Sequence, residues 1–263
     1  MRLDQEIVLR KLYPSRAKAV AAINAGLVFV NGVVAKKPSQ VVNDSDEITG
    51  GALPYSVGRG SLKLAHALDY FNVLPSGMVC LDVGASTGGF TQELLSRGAK
   101  RVYAVDVGTN QLADELRSDS RVVSLEKTDI RDLSPISSVD LIVIDVSFIS
   151  LEHIFGNLDL FVNDKSFVVA LIKPQFELGD ISIQNKGIIS RKEDHLLAIN
   201  LVETRANKYG FYLNKLTFSP IVGEKKGNIE FIGLFSKKNL CKLEKSVYFK
   251  VVEEAHKVLK GGR

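Results

Sequence analysis

Two hydrophobic periods divide this chain. In the first 35 residues Ala19, Ala22 and Ile23 recur at helical spacing and end at Gly26, which predicts a short helix capped by Ser15. Residues 27–34 then read as a hairpin whose turn is Asn31-Gly32, the pair favoured where two central residues need positive φ. From about residue 60 onward, short apolar runs alternate with helical stretches. Strands are predicted at 79–83, 102–106, 122–125, 140–145 and 167–172, with two later ones at 211–216 and 229–235. Before them, Leu64, Leu68 and Phe71 share one face of a helix that carries Lys63. Apolar strands separated by helices predict an α/β fold, a mostly parallel seven-stranded sheet covered on both faces, with the late pair as an antiparallel edge. A small α+β module precedes it.

The break between modules is polar and Gly-ended, from Asn43 to Gly51. The expected organisation is residues 1–50, a connection at 51–58, a larger domain at 59–236 and a basic tail or helix at 237–263. A length of 263 residues suits two domains. No stretch approaches eighteen apolar residues and the start has no leader-like run, so a cytoplasmic protein without membrane association is expected. Cys80 and Cys241 are too few for a disulfide framework or a zinc site, and His66, His153, His195 and His256 show no ligand spacing. No metal and no obligate protein partner are expected. The net charge of +4 is unevenly spread: residues 1–40 and 237–263 each carry a surplus of five cations, leaving the remainder at −6. Basic ends on an acidic middle point to phosphate-binding surfaces on particular modules.

Candidate chemistry lies at the strand ends. Gly84, Gly88 and Gly89 surround the first strand-to-helix turn, where a nucleoside ligand can approach bare backbone and a helix N-terminus. Asp106 ends the second strand, a usual place for a carboxylate that grips ribose hydroxyls. Their spacing departs from the G-x-G-x-x-G of nicotinamide sites. Asp145 and Lys173 end the fourth and fifth strands, where the ligand crevice of an open α/β sheet lies. Glu230 interrupts the last apolar run and is a suitable partner for a buried lysine. Two lysines, Lys63 and Lys173, and two carboxylates beside a nucleoside site suit chemistry on a hydroxyl.

Several of these stretches resemble known families. Ser15-Arg16, Gly26, Val28, Val30-Asn31-Gly32 and Lys37-Pro38 resemble the αL RNA-binding domain, which implies RNA contacts at Arg2, Arg16, Lys18, Asn31, Lys36 and Lys37. The run from Asp82 to Phe90 resembles motif I of the Rossmann-like class I S-adenosylmethionine-dependent methyltransferases. That likeness implies cofactor contacts at Asp82, Gly84, Ser86, Thr87, Gly88, Gly89, Phe90, Asp106 and Asp145, with Asp129 and Ile130 at the adenine. The order Lys63, Asp145, Lys173, Glu230 is similar to the tetrad of FtsJ-type ribose 2′-O-methyltransferases. With the N-terminal module in front, the chain resembles the TlyA family. Further likeness lies in Asp145-Val146-Ser147-Phe148-Ile149-Ser150 and Lys173-Pro174-Gln175-Phe176-Glu177. The resemblance implies methylation of a cytidine 2′-OH in rRNA, of the large subunit and in some members also the small one, with rRNA or ribosomal subunits as partners. Ser61 stands where the family usually has a second glycine. Haemolysin, the name many members carry, is the rival reading; neither an export signal nor an insertion element supports it.

Overall fold

A computed structural model describes residues 1–13, 15–24, 26–50, 58–136, 138–223, 227–240 and 243–260, side chains of Ala17, Lys18, Ala21 and Lys260 excepted. Cys241 falls outside these residues. The chain divides into two compact units, Met1–Ser56 and Val57–Arg263.

The first unit contains α1 (Leu3–Leu9), α2 (Arg16–Asn24), β1 (Val28–Val30), β2 (Val33–Val34) and β3 (Ile48–Gly50). Gly26, at φ +71°, ends α2, and Asn31 and Gly32, both at positive φ, make the hairpin turn between β1 and β2. The periodicity did not disclose α1 or β3. β3 pairs antiparallel with β1 on the side away from β2, so the end of the polar run, at Ile48–Gly50, completes a three-stranded sheet. α1 is short: Leu3 and Ile7 join Ala19, Ala22, Ile23, Val28 and Val30 in the core, with Val8 packed against it.

The second unit follows the order α3 (Gly60–Phe71), β4 (Val79–Val83), α4 (Gly89–Ser96), β5 (Arg101–Val105), α5 (Asp114–Arg117), β6 (Val122–Leu125), β7 (Leu141–Ile144), α6 (Leu151–Phe155) and β8 (Phe167–Ile172). Then come α7 (Pro174–Glu177), α8 (Asp180–Gln184), α9 (Lys192–Lys208), β9 (Tyr212–Phe218), β10 (Phe231–Ser236) and α10 (Lys245–Lys260). The strands form one seven-stranded sheet in the order β6-β5-β4-β7-β8-β10-β9. The first five are parallel; β10 and β9 are antiparallel, with the last strand inserted between β8 and β9. Side chains alternate across it. Cys80, Val102, Leu141, Val143 and Val169 face α3 and α4, while Leu81, Val83, Ile142, Ile144 and Val168 face α6, α9 and α10.

Within the basic C-terminal segment, α10 is a docked helix. Tyr248, Val251, Val252 and Ala255, spaced at helical period, sit in the second core beside Phe211 and Phe231. His195 on α9 and His256 on α10 lie with Nδ1 and Nε2 2.8 Å apart, a pairing the sequence spacing did not suggest. Cys80 lies inside β4, and burial pushes its thiol up to about 12, so it stays an inert thiol. Among the described residues no helix is long and apolar enough to cross a membrane.

Candidate active site

The register of the antiparallel edge explains how residues far apart in sequence meet. Phe231 pairs with Ile172, so Glu230, immediately before β10, stands beside Lys173, immediately after β8. Glu230 therefore precedes the strand rather than interrupting it as its apolar neighbours suggested. Asp145 follows the adjacent parallel strand β7, and Lys63 reaches in from the first turn of α3. Lys63 Nζ donates to Glu230 Oε2 at 2.7 Å and lies 3.6 Å from Asp145 Oδ2. Lys173 Nζ lies 2.6 Å from Asp145 Oδ1 and donates to Ser147 Oγ at 3.0 Å. All four residues thus form one chain of charges with Asp145 between the two ammonium groups. Lys63, Lys173 and Glu230 are buried, and such charges persist in low dielectric only when paired. Burial pulls Lys63 down, but the Asp145 and Glu230 carboxylates outweigh it and leave its pKa raised, so Lys63 is a fixed cation.

The four side chains line a cavity of about 580 Å³ whose wall includes Gly84, Ser86, Thr87, Gly89 and Phe90. A second, more open cavity of about 1250 Å³ is lined by Asp106, Asp129 and Ile130 and shares Gly84, Ser86 and Asp145 with the first. Gly84, at φ +85°, lets the chain pass close beneath the catalytic candidate: a Cβ there would lie 2.7 Å from the Asp145 carbonyl oxygen. Asp106 ties the turn together, accepting the Ser86 N–H at 2.8 Å and the Gly108 N–H at 2.7 Å. A nucleoside-sized ligand fits this donor set, with carboxylates at 106 and 129, the apolar Ile130 and bare backbone at Gly84.

Two of the expected ligand contacts lie elsewhere. Asp82 lines neither cavity; it is fully buried behind the glycine turn and accepts the Thr91 hydroxyl at 2.7 Å. Burial pushes its carboxyl up to about 7. Gly88 lines neither cavity either, and its missing side chain instead makes room for Leu116 against the start of α4. Asp129 is not free, since Arg131 forks onto it at 2.6 and 2.9 Å.

In the first unit Arg2 and Arg16 converge on the buried carboxylate of Asp4, at 3.0 and 2.9 Å. The Arg2 hydrogen bond, with help from Arg16, holds that carboxyl down at about 2. Asn31 also works inside the module, donating to Asp46 and accepting from the Glu47 N–H, each at 2.8 Å. Lys36 and Lys37 are exposed, and the Lys18 side chain lies outside the described residues.

Sequence reasoning assigned no role to Ser147, Phe148 or Phe176. Ser147 holds Lys173, and the two rings, 5.1 Å apart, border both cavities. Phe148 is 78% exposed at φ +65°, a backbone region that bulky side chains avoid and that clusters at functional sites. The signal available was their place inside the two strand-end motifs.

Comparison with known proteins matches residues 56–237 to the FtsJ-like methyltransferase family and residues 1–48 to the S4 domain. The 16S/23S rRNA (cytidine-2′-O)-methyltransferase TlyA of Mycobacterium tuberculosis is 40% identical over 235 residues, 88% of this chain and 87% of that protein. Hemolysin A of Brachyspira hyodysenteriae is 42% identical over 244 residues, covering 89% of this chain and 99% of its own. A solved structure from Streptococcus thermophilus that bears the hemolysin name is 41% identical and superposes with a TM-score of 0.75, covering 99% of this chain and 97% of that one. This chain therefore belongs to the TlyA family of FtsJ-like methyltransferases, with an S4 domain ahead of the methyltransferase fold.

Proposed function

We propose that this protein transfers a methyl group from S-adenosylmethionine to the 2′-hydroxyl of a cytidine in ribosomal RNA, that of the large subunit first. The observation that carries the reading is the unbroken contact series Lys173–Asp145–Lys63–Glu230 lining a cavity that glycines also wall. The names of relatives support the substrate, and the S4 match at residues 1–48 supports docking to RNA. On this reading residues 1–50 hold the RNA, 51–58 connect, and 59–236 carry the transfer, with α10 packed on their sheet.

When bound, S-adenosylmethionine supplies a methyl group made electrophilic by its sulfonium. Asp106, Asp129 and Ile130 would hold the adenosine part and the Gly84–Ser86 backbone the amino-acid part. A ribose hydroxyl is a weak nucleophile, so the chain must orient it and accept its proton. Lys173, with one carboxylate partner where Lys63 has two, is the group placed to take the hydroxyl proton, after giving one of its own ammonium protons to solvent. Asp145 then stabilises the ammonium formed. Lys63, held charged by Glu230 and Asp145, fixes the Asp145 carboxylate and donates toward the ribose. Holding oxygen and methyl in line contributes the rest of the acceleration.

The test is methyl transfer by purified protein to ribosomal RNA, with the product mapped for 2′-O-methyl cytidine. Lys173→Ala should lower the rate at least a thousandfold while S-adenosylmethionine affinity, read by calorimetry, stays within a few fold. A Lys173→Ala enzyme with wild-type turnover would overturn the assignment, and a methyl group found on a base would overturn the reaction.

A further inference from the structure

Glu177 lies outside the four-residue series, four positions after Lys173, and is 5% exposed. Its carboxylate is nonetheless fully engaged. Oε2 accepts the Ser150 hydroxyl at 2.7 Å and the Arg205 guanidinium at 2.9 Å, and Oε1 accepts the Leu151 N–H at 2.9 Å. Ser150 is also the N-cap of α6, five residues after Asp145. The two loops that leave the neighbouring strands β7 and β8 are therefore joined twice. At the strand ends Lys173 meets Asp145 and Ser147; at the far ends Glu177 meets Ser150 and Leu151. The contacts close a ring that contains the proposed proton acceptor and its carboxylate. Arg205, reaching from α9 and itself paired with Glu152 at 3.0 Å, supplies the counter-charge.

We infer that Glu177 is a positioning residue: by fixing residues 145–150 against residues 173–177 it sets the separation and aim of Asp145 and Lys173. The inference rests on the methyl-transfer reading above. A strand-end loop with an exposed Phe at positive φ gains nothing from its own backbone preference, so an outside anchor must define it. A displacement near 1 Å at such a centre is enough to lower turnover by roughly a hundredfold. Burial pushes the Glu177 carboxyl up, and the Leu151, Ser150 and Arg205 donors oppose that rise, consistent with a group retained for its bonds.

Glu177→Gln separates this role from bulk. The amide has the same size but one acceptor oxygen, so it cannot serve Leu151 and Arg205 together. Turnover on ribosomal RNA should fall ten- to a hundredfold, with KM for RNA within threefold and the loss in S-adenosylmethionine affinity at least fivefold smaller than the loss in kcat. Ser150→Ala, which leaves the Glu177–Arg205 pair in place, should lower kcat three- to tenfold with the same split, and it decides the matter if Glu177→Gln does not fold. Wild-type kcat in both variants, or a fall in kcat matched by an equal fall in cofactor affinity, would overturn the inference. The unaltered enzyme is assayed alongside: if it methylates no ribose, the functional reading fails, and it is distinguished from failure of Glu177 alone.

Discussion

At the scale of single residues, the ion pairs of the site set how any variant must be read. Lys63 and Glu230 are both buried and bonded at 2.7 Å. Removing Lys63 strands the buried Glu230 carboxylate and should lower stability by about 3–5 kcal/mol, whereas a Lys63→Met, Glu230→Leu double variant should lose much less. Urea unfolding of the single and double variants checks this, and a negligible loss in the Lys63 single variant would mean that the pair is solvated. Asp82 gives a second test, through pH. Its carboxyl ionises near 3.8 in the unfolded chain and near 7 when folded, so the folded state holds the proton more tightly. That contribution is complete below pH 4 and is lost as pH rises through 7. Asp82→Asn keeps an acceptor for Thr91 but does not titrate. Its stability relative to wild type should therefore grow between pH 4 and pH 8, by on the order of 4 kcal/mol. Parallel pH profiles for the two proteins would show that Asp82 is solvated at the back of the turn.

At the scale of elements, what was legible in the sequence follows from how each element is stabilised. The core strands were readable because burial on both faces makes them continuously apolar, and the carboxylate and lysine that follow β7 and β8 stood out for the same reason. α1 was not readable, because Asp4 and Glu6 are buried through ion pairs that no periodicity encodes. β3 was hidden because Ile48 is its one buried side chain and its existence depends on pairing with β1. The Glu177 anchor was equally invisible, since it depends on two loops returning to one place. α10 is the instructive case. Its apolar stripe at 248, 251, 252 and 255 was present in the sequence, but the surrounding lysines left a basic tail and a helix as equal readings. If the helix is a structural wall of the fold, Tyr248→Ala should cost about 3–5 kcal/mol, the range for deleting a large buried ring. Denaturant unfolding measures it, and a cost under 1 kcal/mol would return α10 to the periphery.

At the scale of the whole molecule, charge decides how the protein meets RNA. A net charge of +4 over 263 residues is too small for attraction by the molecule at large, so binding must come from local surfaces. In the first unit the candidates are not equivalent. Arg2 and Arg16 are tied to Asp4, which stays ionised far below neutral pH, and part of their charge is already compensated. Lys36 and Lys37 are exposed just after the hairpin. They should therefore contribute more to phosphate binding than the two arginines. Each phosphate contact removed lowers the slope of log affinity against log salt by roughly 1, because one fewer counterion is released. A Lys36→Glu, Lys37→Glu variant should thus bind ribosomal RNA fragments more weakly and with a slope shallower by about 2. Anisotropy titrations across a salt series read both quantities. Asp4→Asn, which uncovers rather than removes cations, should leave the slope unchanged or steeper. If the double lysine variant keeps the wild-type slope, the S4 unit does not use this surface, and the exposed cations of α10 become the place to look for the phosphate contacts.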